Sequence, residues 1–553
     1  MASLISKAAL LAAACSSVLQ VVSAAPASGS LPVVDLGYER QQASYFNDTG
    51  NFYNFSNIRY AAPPVGDLRF RAPQSPKRNR GTVQTGTPDR ICAQANPAWL
   101  LIATQFIPEY LTGQTVFNES SFNTSSGSGG LPPVDPRTTE DCLFLDVVVP
   151  KTIFNNAGQG SGAPVLVWIY GGGYTAGSKA GSGNPAGLIK RSTNKMATGV
   201  IYVSLNYRLG AFGFSSGPTL QADGDANAGL LDQRFALEWV QKHIAKFGGD
   251  PSRVTVFGES AGGGSIMHQI TAYGGNNGPV PFSQAVPQSP GFIPLVSNQQ
   301  QEQVLNDFLE LANVSTVEEA RDLSFAQLVI ANTIQVGLAP YGNFIYGPTV
   351  DGDFAPATPG ESLLHGNFAK DVKVMVGHNA QENNTAFKQQ IQTTVPTLRA
   401  WPAVTKYIMN TLYPAVFDGS QAQGYTDQIG RAAALISEFI FTCNTFYLDK
   451  AYSNETYAYF FTVPPALHGQ DVAYTYYNGP NPENVQNPKI AIALQEYITS
   501  FAMDGNPNEA GVPHFPLYGD DATVQILNIT GVSQGMDPVA NERCNWWQKT
   551  LYV

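Results

Sequence analysis

Short runs rich in apolar, β-branched and aromatic residues, separated by polar and glycine-rich stretches, predict the buried strands of a sheet. Four such runs lie at 165–170, 254–257, 372–376 and 457–463. Runs of this length and composition are typical of strands that are covered on both faces.

A second pattern predicts a long helix over 230–247. Its apolar residues recur with helical spacing at Ala236, Val240, Ile244 and Phe247. The pair Gly248 and Gly249 follows at once, and glycine is the usual residue just beyond the end of a helix. No linker or internal repeat divides the chain, so strands and helices are expected to form one α/β unit.

The strand over 254–257 leads directly into Gly258-Glu259-Ser260-Ala261-Gly262, a G-x-S-x-G motif. Helix-compatible sequence follows it. In this context the motif is a nucleophile elbow, in which a sharp strand-to-helix turn lifts the serine Oγ clear of the sheet. Glycines at 258 and 262 remove the Cβ atoms that would collide at such a turn. Ser260 is therefore the candidate nucleophile.

A triple glycine follows the strand over 165–170, at 171–173. An oxyanion hole needs backbone N–H groups aimed at one point with no side chains in the way. A glycine-rich loop after a core strand and upstream of the serine suits that role. We expect the N–H donors to come from Gly172, Gly173 and Ala261. Tyr170 stands where the corresponding H-G-G-G motif has histidine.

The candidate base follows from elimination among six histidines. The triad of α/β-hydrolases runs serine, then acid, then histidine, which excludes a histidine upstream of the motif. His268 lies in the helix after the elbow and should point away from Ser260. His365 and His378 leave little room for a preceding acid on its own strand, and His514 lies between prolines. His468 follows the strand over 457–463 and is the candidate general base.

The acid is expected on a loop after the strand between serine and histidine. The run over 372–376 is the best strand in that interval, and Glu382 lies on the loop after it. Its role would be to hold the imidazole tautomer and to stabilise the imidazolium. Asp351 and Asp353 are alternatives, but they lie in a turn-rich segment.

These motifs resemble the carboxylesterase and cholinesterase family, the type-B carboxylesterases and lipases, in its fungal secreted members. Similar blocks include Glu140-Asp141-Cys142-Leu143, Asn206-Tyr207-Arg208-Leu209-Gly210 and His468-Gly469. Two departures from the family pattern flank Glu382, where Gln381 and Asn383 replace the family's Asp and Gly. Pro290 also replaces the glycine of the Q-S-G block at Gln288-Ser289. The resemblance implies an α/β-hydrolase fold, a large, mostly parallel, doubly wound sheet flanked by helices with long loop insertions.

The same resemblance implies two disulfides and two buried ion pairs. Residues 1–24 have the early lysine, apolar stretch and small-residue end of a secretory signal peptide, which would leave one domain over 25–553. Four of the five cysteines then remain in an oxidising compartment, where three pairings are possible. The resemblance selects Cys92–Cys142 and Cys443–Cys544, and it suggests the pairs Arg69–Glu140 and Arg208–Asp232.

Sequons predict a glycoprotein with carbohydrate on surface loops. The candidate sites are Asn47, Asn54, Asn118, Asn123, Asn313, Asn454 and Asn528, whereas Asn383 adjoins Glu382 and is expected to stay unmodified. The net charge of −11 and the lack of a basic patch argue against nucleic-acid binding. No other stretch is long enough for a membrane anchor.

The expected function is that of a secreted serine carboxylic ester hydrolase that forms an acyl-enzyme on Ser260. Its partner would be a small-molecule or lipid ester, with no metal and no organic cofactor. One alternative is a long-chain lipase or sterol esterase, in which the loop between Cys92 and Cys142 forms a lid that carries the apolar residues of 99–106. A remote alternative is a non-catalytic, cholinesterase-like binding protein. The sequence leaves the substrate and the oligomeric state open.

Overall fold

The four apolar runs form two neighbouring pairs of strands in the central part of one mixed sheet, with a fifth strand between the pairs. The computed structural model describes residues 31–103, 133–195, 199–293, 297–340, 342–382, 402–417, 424–479, 484–509 and 511–550. The strands are β1 Val33–Asp35, β2 Glu39–Gln42, β3 Tyr45–Asn47, β4 Phe52–Arg59, β5 Asn79–Gln84, β6 Phe144–Pro150, β7 Ala163–Ile169, β8 Ile201–Leu205, β9 Gly249–Glu259, β10 Gln284–Gln288, β11 Lys373–Asn379, β12 Tyr457–Phe461, β13 Thr523–Asn528 and β14 Gly531–Met536. The predicted strands correspond to β7, β9, β11 and β12, and all four are confirmed.

The main sheet has eleven strands in the order β14-β13-β12-β11-β10-β9-β7-β8-β6-β4-β3. Every pairing from β8 to β13 is parallel, whereas β14 at one edge and β6, β4 and β3 at the other pair antiparallel. Strands β1, β2 and β5 form a separate sheet of three. Every residue of β7, β8 and β10 is buried, as expected for central strands that are covered on both faces.

Helices connect the parallel strands and cover the sheet. The α-helices are Lys151–Asn155, Ala186–Lys195, Gly210–Phe214, Pro218–Gln221, Ala228–His243, Ala261–Thr271, Asn298–Leu311, Val317–Asp322, Phe325–Gly337, Pro359–Leu364, Pro402–Tyr407, Gln428–Ser437, Cys443–Ala451, Gln470–Thr475, Pro488–Asp504 and Glu542–Trp547. The helix predicted over 230–247 is present as Ala228–His243 and a 3₁₀ turn, Ile244–Phe247. Gly248 ends it with φ of 90°, the left-handed conformation that glycine adopts without strain.

Two disulfides and two buried ion pairs join segments that are distant in sequence. Both disulfide pairings are as expected, Cys92–Cys142 and the C-terminal disulfide Cys443–Cys544. The Arg208 side chain donates to the two carboxylate oxygens of Asp232 over 2.8 and 2.7 Å. Both side chains are almost fully buried. Arg69 and Glu140 form a second buried, bidentate pair.

Several sequence predictions concern the surface or lie outside the described residues. No helix in the described part of the chain is both long and apolar enough to cross a membrane. Asn313 is exposed, and four other sequon asparagines are half-buried, namely Asn47, Asn54, Asn454 and Asn528. The predicted signal peptide, the sequons at Asn118, Asn123 and Asn383, and the greater part of the proposed lid lie outside the described ranges.

Candidate active site

Ser260 occupies a strained turn between β9 and the helix Ala261–Thr271. Its φ is 59° and its ψ is −124°, a conformation that non-glycine residues rarely adopt and that clusters at functional sites. The N–H of Ser260 donates to Gln288 O over 3.0 Å, and the N–H of Gly291 donates to Ser260 O over 2.9 Å. These hydrogen bonds join the turn to the end of β10. A Cβ at Gly262 would collide with the Ile169 carbonyl at the end of β7, so only glycine fits there.

His468 meets the hydroxyl group of Ser260 from the loop after β12. The distance from His468 Nε2 to Ser260 Oγ is 2.8 Å, and that from His468 Nδ1 to Glu382 Oε2 is 2.5 Å. Backbone hydrogen bonds join the loops after β11 and β12, since the N–H of His468 donates to Gln381 O over 3.0 Å. Because β9, β11 and β12 belong to one parallel set, their carboxyl ends deliver all three side chains to the same edge of the sheet.

Glu382 is a buried carboxylate with donors on both oxygens. Its Oε1 accepts hydrogen bonds from Ser289 Oγ over 2.7 Å and from the N–H of Asn379 over 2.5 Å. Burial alone would raise the pKa of Glu382, but the charge of His468 and the hydrogen bonds to the carboxylate outweigh burial and lower it. The carboxylate is therefore ionised at neutral pH and able to accept a hydrogen bond from the imidazole.

The two alternative acids lie in a different environment. Asp351 accepts a hydrogen bond from Asn227 Nδ2 over 2.6 Å and caps the turn that contains it. Asp353 is exposed on the same turn. The structure thus brings Glu382, rather than either aspartate, to His468.

A second carboxylic acid, Glu259, lies beside the imidazole. Its Oε1 is 3.3 Å from His468 Nε2, and the residue is buried. Burial is the main cause that raises the pKa of Glu259 to about 8, with smaller contributions from the charges of Asp471 and Glu382. Burial would lower the pKa of His468, but the carboxylates of Glu259 and Glu382 outweigh burial and raise it.

The glycine loop after β7 lies against Ser260. A Cβ at Gly171 would come within 2.8 Å of Ser260 Cβ, so the loop approaches the serine backbone as closely as the chain allows. Gly172 and Gly173 have φ of 109° and 62°, and no backbone carbonyl among the described residues accepts their N–H groups. The N–H of Ala261 opens a helix, a position without an intrahelical acceptor.

Tyr170 fixes the start of this loop instead of the histidine of the H-G-G-G motif. Its ring stacks on Tyr207 with centroids 4.4 Å apart. Each hydroxyl group donates to the backbone carbonyl of the other residue, over 3.1 and 2.8 Å. The departure from the motif is therefore a core contact that holds the end of β7.

Three aromatic rings border the site. The sequence pattern did not predict that two of them, Phe344 and Phe441, would lie there. Phe441 lies against His468 with ring centroids 4.2 Å apart, and Phe344 lies where a Cβ on Gly173 would be. Trp99 packs edge-on against Phe344 at 5.3 Å, and its Nε1 donates to Asn343 O over 2.8 Å. Phe344 and Phe441 follow no strand and belong to no motif, so the periodic pattern of the sequence contained no signal for them.

One cluster of metal-ligating side chains occurs within the described ranges, at Glu438, Cys443 and Cys544. The two sulfur atoms are joined in the C-terminal disulfide, so they cannot act as thiolate ligands. The carboxylate of Glu438 is paired with Arg543 over 2.6 Å. These groups therefore stabilise the fold and do not fit a metal ion.

Comparisons with known proteins identify the family of this chain. The model of the carboxylesterase family matches residues 40–547. Carboxylesterase patB of Penicillium expansum is 40% identical over 550 residues, covering 95% of this chain and 97% of the relative. Lipase 1 of Geotrichum candidum is 32% identical over 540 residues, covering 88% of this chain and 90% of the relative. Two further relatives, from Arthroderma benhamiae and Botryotinia fuckeliana, are named secreted lipases.

A solved structure is similar over the same span. The crystal structure of Aspergillus niger EstA superimposes with a TM-score of 0.75 at 26% sequence identity, covering 94% of this chain and 98% of that one. The sheet described above is therefore that of an α/β-hydrolase. With a family match over nearly the whole chain, this protein belongs to the carboxylesterase family and is a carboxylic ester hydrolase.

Proposed function

We propose that this protein is a secreted serine ester hydrolase that works through an acyl-enzyme on Ser260. The observation that carries the proposal is one continuous series of hydrogen bonds. It runs from Ser260 Oγ to His468 Nε2 over 2.8 Å, and from His468 Nδ1 to Glu382 Oε2 over 2.5 Å. Nucleophile, base and orienting acid at hydrogen-bond distance are the arrangement that serine acyl transfer requires.

In the acylation step, His468 Nε2 accepts the proton of Ser260 as Oγ attacks the carbonyl carbon of the ester. The charge that develops on the carbonyl oxygen is stabilised by the N–H groups of Gly172, Gly173 and Ala261. Each such donor typically contributes about 3 kcal/mol to transition-state stabilisation. The imidazolium then protonates the departing alcohol, and Glu382 stabilises its positive charge through Nδ1.

Deacylation repeats these steps with water. His468 takes a proton from the water molecule that attacks the acyl carbonyl, and the same N–H groups bind the second oxyanion. Collapse of the intermediate releases the carboxylic acid and returns the proton to Ser260. No step of this sequence needs a metal ion or an organic cofactor.

The test is the hydrolysis of p-nitrophenyl esters by the wild type and by Ser260→Ala. We expect the substitution to lower kcat by roughly 10⁴ to 10⁶, because the attacking atom is lost. Ser252→Ala, at an exposed serine on β9, is the matched control and should keep wild-type rates. An organophosphonate should label the wild type at Ser260. Turnover that survives in the Ser260→Ala protein would contradict the proposal and favour a binding role for the serine site.

A long-chain lipase is the second candidate, and the apolar rings beside the glycine loop favour it. Trp99, on the segment that follows Cys92, belongs to a small hydrophobic cluster apart from the main core, and Phe344 packs against this cluster. Such a cluster could cover an acyl chain. Initial rates from acetate to palmitate separate the two candidates. A maximum at short chains supports a carboxylesterase, whereas a maximum at long chains with activation at an oil–water interface supports a lipase.

Secretion, processing and glycosylation belong to the same proposal. Cleavage after residue 24 would leave a single domain over 25–553, and Asn313 is the most exposed of the described sequons. Amino-terminal sequencing of the protein from the culture medium tests the cleavage. Removal of N-linked glycans should reduce the apparent mass, and an Asn313→Gln protein should show a smaller reduction.

A further inference from the structure

A π-helical turn interrupts the helical segment that passes beside the active site. The helix Gln428–Ser437 continues into the π-turn Glu438–Thr442 and then into the helix Cys443–Ala451. A π-turn places an extra residue in a helix, changes the direction of the side chains that follow and often occurs at functional sites. This turn carries Phe441.

Phe441 touches both the imidazole and the loop beside the nucleophile. Its ring lies 4.2 Å from that of His468, with an angle of 41° between the ring planes. A Cβ at Gly291 would collide with the Phe441 ring, so glycine at 291 makes this approach possible. The N–H of Gly291 in turn donates to the carbonyl of Ser260 over 2.9 Å.

The π-turn is anchored on both sides. Glu438, at its start, is buried and forms a bidentate ion pair with Arg543, with distances of 2.7 Å to Oε2 and 2.6 Å to Oε1. Cys443, at its end, is joined to the C-terminal segment by the disulfide. Asn444 Nδ2 donates to Pro290 O over 2.8 Å, which connects the turn to the loop that Phe441 touches. These contacts fix the position of the turn that carries Phe441.

The imidazole needs such a restraint because His468 Nε2 has two neighbours. Ser260 Oγ is 2.8 Å away, and Glu259 Oε1 is 3.3 Å away on the adjacent residue. Catalysis requires Nε2 to accept the proton of the Ser260 hydroxyl group. A small rotation of the ring would bring Nε2 closer to Glu259, whose Oε1 has no hydrogen-bond partner among the described residues.

We propose that Phe441 is a positioning residue for the triad, held by the π-turn against one face of His468 so that Nε2 stays on Ser260 and away from Glu259. This inference rests on the proposed function and adds a residue to it. The other charged groups that face the imidazole are Glu382, on the loop after β11, and Asp471, at the start of the helix Gln470–Thr475. Both act on the ring independently of Phe441.

Replacing Phe441 with alanine should lower kcat and change KM much less. A misplacement of about 1 Å in a catalytic group can lower a rate by as much as about 10². We therefore expect kcat for p-nitrophenyl acetate to fall roughly tenfold to hundredfold, with a much smaller change in KM. The acetyl group is small, so the altered pocket volume should not limit its binding.

The pH profile provides a readout that a purely structural role would not change. A carboxylate nearer to the imidazole stabilises its protonated form, so the acidic limb of kcat/KM should move to higher pH in Phe441→Ala. Adding Glu259→Gln to that variant should remove the movement, because an amide does not ionise. Glu259→Gln alone supplies the reference profile.

Phe439→Ala is the matched control. Phe439 lies in the same π-turn, but its ring packs on Trp547 at 4.9 Å rather than on His468. The assays are the rate of labelling by a small fluorophosphonate, the kinetic constants across pH and the unfolding midpoint. Phe441→Leu, which retains most of the volume, should be intermediate and provides the test if the alanine variant does not fold.

Slow labelling of Phe441→Ala, together with a wild-type rate for Phe439→Ala, would support the positioning role. Wild-type labelling of Phe441→Ala, or an equal loss in both variants, would overturn it while leaving the ester hydrolase proposal intact. Labelling or turnover by the Ser260→Ala protein would instead overturn the proposed function, and the positioning role with it.

Discussion

Replacing Glu382 with glutamine should reverse the tautomer of the imidazole. Glu382 Oε1 accepts from Ser289 Oγ and from the N–H of Asn379, so the amide oxygen of a glutamine must occupy that position. Its NH₂ group then faces His468 Nδ1, which can only accept. The ring proton moves to Nε2 and points at Ser260, so the base is lost.

The expected loss of kcat is about 10⁴, the typical cost of this change in a serine triad, or about 5 kcal/mol in activation free energy. The substitution adds no volume, and the unfolding midpoint serves as the check that the variant keeps its fold. The assay is kcat for a p-nitrophenyl ester, with the exposed Asp353→Asn as a control that should keep full activity. A Glu382→Gln protein within tenfold of the wild type would refute the reasoning.

Three further predictions concern stability, and each is checked by urea denaturation. Asp232→Ala should cost about 3–5 kcal/mol because it leaves the Arg208 guanidinium buried and unpaired. Asp35→Ala removes one partner of an exposed pair and should change stability far less. Burial opposes the protonated form of His378, but its hydrogen bond and attraction to Asp537 outweigh burial and raise the pKa above 6.5. This stabilisation is therefore complete below pH 6.5 and is lost as the pH rises through the raised pKa. The stabilisation by protonated His378 is worth about 1.4 kcal/mol per unit by which the pKa is raised. The stability of a His378→Gln protein should not show this decrease as the pH rises. Replacing both cysteines of the C-terminal disulfide with serine should cost roughly 2–5 kcal/mol, because the bond spans 101 positions of sequence. An unchanged midpoint would contradict that estimate.

Much of the candidate site could be predicted because its signals are local. The turn at Ser260 needs glycine on either side, and the loop after β7 needs consecutive glycines, so backbone sterics are visible in the sequence itself. The order of serine, acid and histidine along the chain then left few candidates for the general base and for the acid. The acid was harder to select, because Glu382 carries no motif of its own beyond its place after a strand.

The sheet was predictable in part of its centre and not at its edges, since β8 and β10 belong to the parallel centre and were not among the predicted strands. Parallel strands covered on both faces form continuous apolar runs, as β7 does, and such runs are easily found. The antiparallel strands β3, β4 and β14 include polar residues, and β3 and β14 also have exposed positions, as in Gly531–Met536. Their membership in the main sheet depends on pairing partners that no local pattern specifies.

The amino-acid sequence by itself determined the family, four of the central strands, the elbow at Ser260 and the glycine loop, because each depends on neighbouring residues and on the sterics of a short stretch of backbone. Only the tertiary structure decided that Glu259 approaches His468 from the side of Ser260, that Ser289 holds Glu382, and that a π-turn places Phe441 on the imidazole. Those contacts join β9, β10, β11 and β12 with a distant helix. They exist because the order of the strands brings the ends of separate segments to one edge of the sheet. That order cannot be predicted from the spacing of residues along the chain.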